Sequence, residues 1–170
     1  IENESLEYSE LDKEFIHIML VHGTVSAENK VVPYVYPAEL IPSVWEEMAD
    51  ILEPCEAISG GMVTLKQLYW WLTNDDAVAF SISKNDKLES VIIVMPVQYA
   101  TYKVARVVAY AGKDFIGTMK FIDALEAWAL IQGCVELEGW CRKEVVNLVC
   151  RYGWEDKLTI VSRDLRRKLQ

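Results

Sequence analysis

The order of residues predicts an α/β (α+β) domain: a mixed, mostly antiparallel central sheet with helices on both faces, preceded by an N-terminal helix. Three observations carry this expectation. The hydrophobic period changes from helical spacing before residue 74 to alternation and short apolar runs over 77–111. The three strand-like runs in that stretch are joined by connections of three or four residues, as an antiparallel meander requires. Helical patterning then returns, interleaved with strand-like runs at 134–138 and 158–162, so a further strand must join the sheet by a helical crossover.

Each element has a local reason. Ser9 with Asp12 has capping-box spacing, and Leu11, Phe15, Ile18, Met19 and His22 share one helical face that Gly23 closes. Residues 24–37 read as irregular or extended, punctuated by Pro33 and Pro37. From Glu39 to Leu52 the apolar set Leu40, Ile41, Val44, Trp45, Met48, Ile51 and Leu52 marks an amphipathic helix with Glu46, Glu47 and Asp50 on its wet side. After the Ser59-Gly60-Gly61 break, Thr64 caps a second helix through Leu65, Leu68, Tyr69 and Leu72, which Asn74-Asp75 ends. Trp70 and Trp71 cannot both face inward on it, so one is a candidate contact residue.

Strands follow at Ala77–Ser83, Leu88–Gln98 and Tyr102–Ala111. The first hairpin turns at Lys84-Asn85-Asp86-Lys87, and the Val91–Val97 run is apolar enough to be buried on both faces. Asp114–Gln132 reads as one long helix closed by Gly133, Cys134–Glu138 as a short strand, and Arg142–Tyr152 as a helix closed by Gly153. Leu158–Ser162 is a last strand before a basic tail, Arg163–Gln170. The domain reading is an N-terminal helix and extended arm over 1–38, then one domain over 39–170.

Composition narrows the function. At 170 residues, 52% apolar and 25% charged, the chain is of globular type. It can bury roughly 70% of its unfolded surface without staples. No run approaches the ~20 apolar residues of a membrane helix, and the acidic, polar first 14 residues do not resemble a secretory leader. The expectation is therefore a cytoplasmic protein. Cys55, Cys134, Cys141 and Cys150 have no metal-site spacing with one another or with His17 and His22, which points to buried free thiols and no metal. The formal charge of -9 is unevenly placed, with 17 acids against 5 bases over residues 1–89 and 9 against 12 thereafter. That balance disfavours nucleic acid, and the Arg163–Lys168 patch is too small to reverse it. It suits an anionic ligand on the C-terminal half and a basic amine near the N-terminal half.

From residue 39 to about 165 the order of elements resembles the GNAT superfamily of acyl-CoA N-acyltransferases. Three short runs strengthen the likeness: Leu125-Glu126-Ala127-Trp128-Ala129 with Gly133, Arg151-Tyr152-Gly153-Trp154-Glu155, and Ser162-Arg163-Asp164-Leu165. Together with Ala111-Gly112 and Arg142 they look most similar to small GNAT-like proteins encoded by bacteriophages, some virion-associated. Such an origin implies the host cytoplasm or the virion. The resemblance implies acetyl-CoA as cofactor, its diphosphate on backbone N–H groups where a long helix starts. The corresponding residues are Ala111, Gly112, Lys113, Ile116, Gly117 and Thr118. Asp114 and Met119 stand where the family has Gln or Arg and a second small residue. Val149 stands where many members have a tyrosine acid.

Glu136 and Glu138, two apart on one strand, are the candidate proton acceptors for an amine substrate, and also suit a solvated strand face. Arg142 at the start of a helix opposes the dipole, which points to an ion pair with Glu138 or Glu126, or to an anionic ligand. Two functions stay open. One is an N-acyltransferase acting on a small amine or a protein. The other is a non-catalytic GNAT-like virion or accessory protein that binds a protein partner or its own copies.

Overall fold

The computed structural model describes residues 25–26, 29–119 and 121–158. The helix expected over 9–22 and the basic tail lie outside them, as does the strand expected over 158–162 apart from Leu158. Among the described residues no helix is long and apolar enough to cross a membrane. They divide between two compact units, one up to Trp140 and one from Cys141 onward.

The first unit is built on a sheet whose strands lie side by side in chain order: β1 (Val25–Ser26), β2 (Asn29–Tyr36), β3 (Val78–Lys84), β4 (Lys87–Gln98), β5 (Lys103–Gly112) and β6 (Glu136–Gly139). All neighbours are antiparallel except β5 and β6, which are parallel. The segment read as irregular or extended thus supplies a strand, paired with β3 over six positions from Val31–Lys84 to Tyr36–Ala79. Pro33 misled the reading. It lies beyond the end of β1, where the outer side of β2 has no strand partner among the described residues, and an edge tolerates a missing N–H. The β3–β4 turn places Asn85 and Asp86 at φ 52° and 59°, the left-handed pair that a two-residue hairpin needs.

Helix α1 (Ile41–Ile58) and helix α2 (Leu65–Thr73) cover one face of this sheet. Ile41, Met48 and Leu52 of α1 and Leu68 and Leu72 of α2 pack with Ala79, Leu88, Val91, Ile93 and Ala109. α1 runs six residues past the end expected at Leu52, through Pro54. That proline is exposed and removes one helical hydrogen bond, while burial of Met48 and Leu52 holds the helix to the sheet. Thr64 accepts a hydrogen bond from Gln67 N (3.2 Å), so the expected cap forms. Trp71 packs against the core and Trp70 stands 57% exposed.

The opposite face is covered by α4 (Ile122–Ile131), whose Leu125, Trp128 and Ala129 pack with Ile92, Val94 and Ala105. Covering both faces explains why Val91, Ile92, Ile93 and Val94 are all buried. The single helix expected over 114–132 is two: α3 (Phe115–Met119) and then α4. Thr118 accounts for the break. Its hydroxyl donates to the Asp114 carbonyl one turn back (2.8 Å) and can accept from the buried Ser90 hydroxyl on β4 (3.2 Å), tying the turn to the sheet. Phe121 N then bonds the Thr118 carbonyl three residues back, and α4 starts at Ile122. Gly133 ends α4 at φ 74°. Of the four cysteines, expected as buried thiols, only Cys134 is buried; Cys55 is half-buried, and Cys141 and Cys150 are exposed.

The second unit contributes α5 (Lys143–Cys150), which starts on Arg142 and is followed by Gly153 at φ 86°.

Leu52 is fully buried between α1 and the sheet. Leu52→Ala is expected to lower unfolding stability by about 2–5 kcal/mol, measured by urea denaturation at constant slope.

Candidate active site

The site begins with a mismatch in strand length. β5 has ten residues and β6 has four. Their parallel pairing runs from Val104–Glu136 to Val107–Gly139 and stops. Beyond Val107, no strand among the described residues pairs with β5 on its β6 side, although β5 continues to Gly112. The pairing ends next to an irregularity in β5. Ile93 faces Ala109 and Val94 faces Val107, so Val108 is an extra residue, a bulge. The core confirms it: Val108 and Ala109 both belong to the α1–α2 side, whereas Val107 and Tyr110 belong to the α4 side. A bulge bends its strand and adds twist, and the place where β5 runs on past the end of β6 forms a fork in the sheet.

A polar cluster sits at the closed end of this fork. Ala105 and Leu137 pack on the α4 side, so Arg106 and Glu138 project to the α1–α2 side as register neighbours. Arg106 Nε donates to Glu138 Oε1, and an Arg106 terminal N–H donates to the Tyr99 hydroxyl (2.8 Å). Tyr99 in turn donates to Glu138 Oε2 (2.7 Å), closing a three-membered ring of hydrogen bonds. The guanidinium lies 4.5 Å from the Trp140 ring centroid and 6.0 Å from that of Tyr99, within cation–π range.

Both ends of the ring have shifted proton affinities. The hydrogen bond to Glu138 is the main reason that Tyr99 holds its proton above the usual tyrosine range, and the nearby guanidinium opposes this. Partial burial works against the charge on Arg106, and is outweighed by its bonds to Glu138 and Tyr99. The cluster is therefore a neutral phenol held between a fixed cation and a carboxylate.

At the open end, β5 runs directly into α3. Asp114 precedes that helix, and its Oδ1 accepts from Gly117 N (2.8 Å). A Cβ built on Gly117 would lie 2.2 Å from Asp114 Oδ2, so the glycine makes room for the chain's own carboxylate. Below, Tyr110 meets Thr118 (3.4 Å between hydroxyl oxygens) and packs edge-on against Phe115. Burial raises the Tyr110 proton affinity, so it too stays a neutral phenol.

The residues singled out from sequence are thus brought to two places. Ala111, Gly112, Lys113, Ile116, Gly117 and Thr118 lie together along the end of β5 and the start of α3. Lys113 and Ile116 are exposed there and Thr118 is buried. Glu138 stands at the closed end of the fork, whereas Glu136 is exposed two residues further from it, about 7 Å along the strand. The partner of Glu138 is Arg106. Val149 lies on α5 and brings no hydroxyl. Sequence reasoning missed Tyr99, Arg106 and Trp140. The signal was present in Arg106, a charge in the middle of an otherwise apolar strand.

The fork and the turn answer differently to coenzyme A. A strand edge with no neighbouring strand, beside a bulge, suits an extended chain carrying amides, which a pantetheine arm is. The α3 turn does not fit the diphosphate. A carboxylate already holds the Gly117 N–H, and α3 is only five residues long.

No protein-family model and no curated protein matches the sequence. Solved structures do match in fold. Glucosamine-6-phosphate N-acetyltransferase from Arabidopsis thaliana aligns with a TM-score of 0.57 at 15% identity, covering 80% of this chain and 99% of that one. A GCN5-related N-acetyltransferase from Ralstonia eutropha aligns at 0.60 and 10% identity, covering 79% and 99%. A predicted acetyltransferase from Clostridium acetobutylicum, solved with acetyl-CoA, aligns at 0.59 and 12% identity, covering 81% and 98%. Element order, the mixed sheet and these alignments agree: the chain has the fold of the GNAT acetyltransferases.

Proposed function

We propose that the protein is an N-acyltransferase that takes an acyl group from a pantetheine-type thioester, of which acyl coenzyme A is the familiar example, and passes it to an amine. The observation that carries the reading is the fork, in which β5 outruns β6 beside a bulge and the closed end holds Tyr99, Arg106 and Glu138. The open edge over 108–112 binds the extended arm as an added strand, and the polar cluster receives the reacting end.

The chemistry asks for a proton acceptor on the amine and a proton donor for the departing sulfur. The neutral amine attacks the thioester carbonyl; a C–N bond forms and the C–S bond breaks. The amine proton passes to the Glu138 carboxylate. Tyr99, kept protonated by its bond to Glu138, gives its proton to the sulfur and recovers one from Glu138 through that same bond. Amide and free thiol leave, and the cluster returns to its starting state. Arg106 holds both partners in place. Glu136, exposed and further from the fork, is the weaker candidate for this role. The acidic N-terminal half, with 17 acids against 5 bases, favours a basic amine, small or on a protein. The competing expectation is a non-catalytic body, phage-encoded or otherwise, acting through protein contacts. It has exposed Trp70 in its favour and expects no chemistry at the fork.

Amine-dependent thiol release from acetyl coenzyme A and from S-acetyl-pantetheine, measured over a panel of amines and basic peptides, decides between these readings. Turnover is expected, and its absence over the whole panel sinks the acyltransferase reading. Tyr99→Phe and Glu138→Gln should each lower turnover about 10²-fold, with smaller effects on KM.

The phenol itself gives a second check. Spectrophotometric titration should place Tyr99 above the ordinary value near 10, and Glu138→Gln should bring it down. Because the folded-state affinity is raised, its contribution to stability is complete below the unfolded value and is lost as pH rises through the folded one.

A further inference from the structure

At the start of α3 the protein supplies its own anion. The Asp114 carboxylate accepts the Gly117 N–H (2.8 Å), and its other oxygen fills the space that any side chain at 117 would need. The turn carrying it is locked rather than adaptable. The Asp114 carbonyl accepts from Thr118 N (3.0 Å) and from the Thr118 hydroxyl (2.8 Å), and that buried hydroxyl is tied to Ser90 on β4. An incoming diphosphate would have to displace a carboxylate from its N–H and then stay beside its charge. Neighbouring Lys113 is exposed and offsets part of that repulsion without vacating the N–H. With five residues, α3 also offers little dipole in compensation. None of these obstacles touches the edge of β5 over 108–112, where an arm of amides would lie.

We propose that Asp114 is a tethered occupant of the anion position, so that the protein gains nothing from the diphosphate of coenzyme A and recognises its acyl donor by the pantetheine arm alone. The inference rests on the acyltransferase reading and narrows its donor to thioesters that need not carry a nucleotide. It explains why Gly117 is present in a turn that does not serve phosphate: the glycine serves the carboxylate.

Calorimetric titration of the full chain and of Asp114→Asn with coenzyme A and with pantetheine tests it. Asparagine keeps an oxygen to cap Gly117 and removes the charge. The wild-type dissociation constants for the two ligands should agree to within about threefold. Asp114→Asn should tighten coenzyme A about tenfold and leave pantetheine unchanged. The proposal is overturned if wild-type protein binds coenzyme A tenfold or more tightly than pantetheine, or if Asp114→Asn leaves coenzyme A where it was. If the wild type takes neither ligand while Asp114→Asn acquires coenzyme A, the role of Asp114 stands and the proposed donor falls. If neither protein binds either ligand, both fall together.

Discussion

A strand buried in a sheet must satisfy its backbone on both sides, and β5 meets that requirement on one side only for part of its length. Nine of its ten residues pair with β4, Val108 being bulged out, but β6 offers a partner to four. Backbone groups left without a partner are costly, and past Val107 those of β5 find none in β6; the Tyr110 carbonyl there accepts from the Cys55 thiol of α1 (3.2 Å). The other features of the site are arranged around that constraint. The bulge at Val108 directly follows the last β5–β6 pair, and the short α3 turn starts soon after β5 ends. The fork is thus a property of the backbone, established by strand length and register before any catalytic side chain is considered.

The side chains at its closed end follow a second rule. Arg106 and Glu138 are about four-fifths buried, where a lone charge would be expensive, so each needs the other. Tyr99 completes the ring by donating to one and accepting from the other. Removing any member leaves a half-satisfied polar group beside an apolar sheet. Stability and the proposed reactivity therefore draw on the same three residues, and a variant at this cluster should be judged by both.

Much of the fold was legible because local pattern and tertiary need agreed. Leu40 to Leu52 at helical spacing, the Asn85-Asp86 turn and the first part of the Val91–Val97 run, buried over Val91–Val94 and half-buried over Met95–Val97, each have one good solution. The pattern failed where tertiary contacts overrode it. Pro33 argued against a strand, yet an edge accepts it; the apolar spacing stops at Leu52, yet α1 continues through Pro54; Thr118 reads as an ordinary helix residue until Ser90 approaches from a distant strand. The candidate site was half legible for the same reason. The segment 111–118 is contiguous and was identified as a unit. The Tyr99–Arg106–Glu138 ring joins a turn and two strands separated by a helical crossover, and strand register decides that pairing.

Asp114 and Gly117 also constrain one another over evolutionary time. A β-carbon at 117 would strike the carboxylate at 2.2 Å, so a side chain there evicts the cap, and a chain that loses the cap no longer needs the glycine for it. The two positions should change together among relatives that keep this turn. An acid at the first should appear with glycine at the second, and an alanine or serine at the second should mark lineages in which the first is no longer acidic. Lineages that differ at this pair would then differ in the charge they admit at the mouth of the fork.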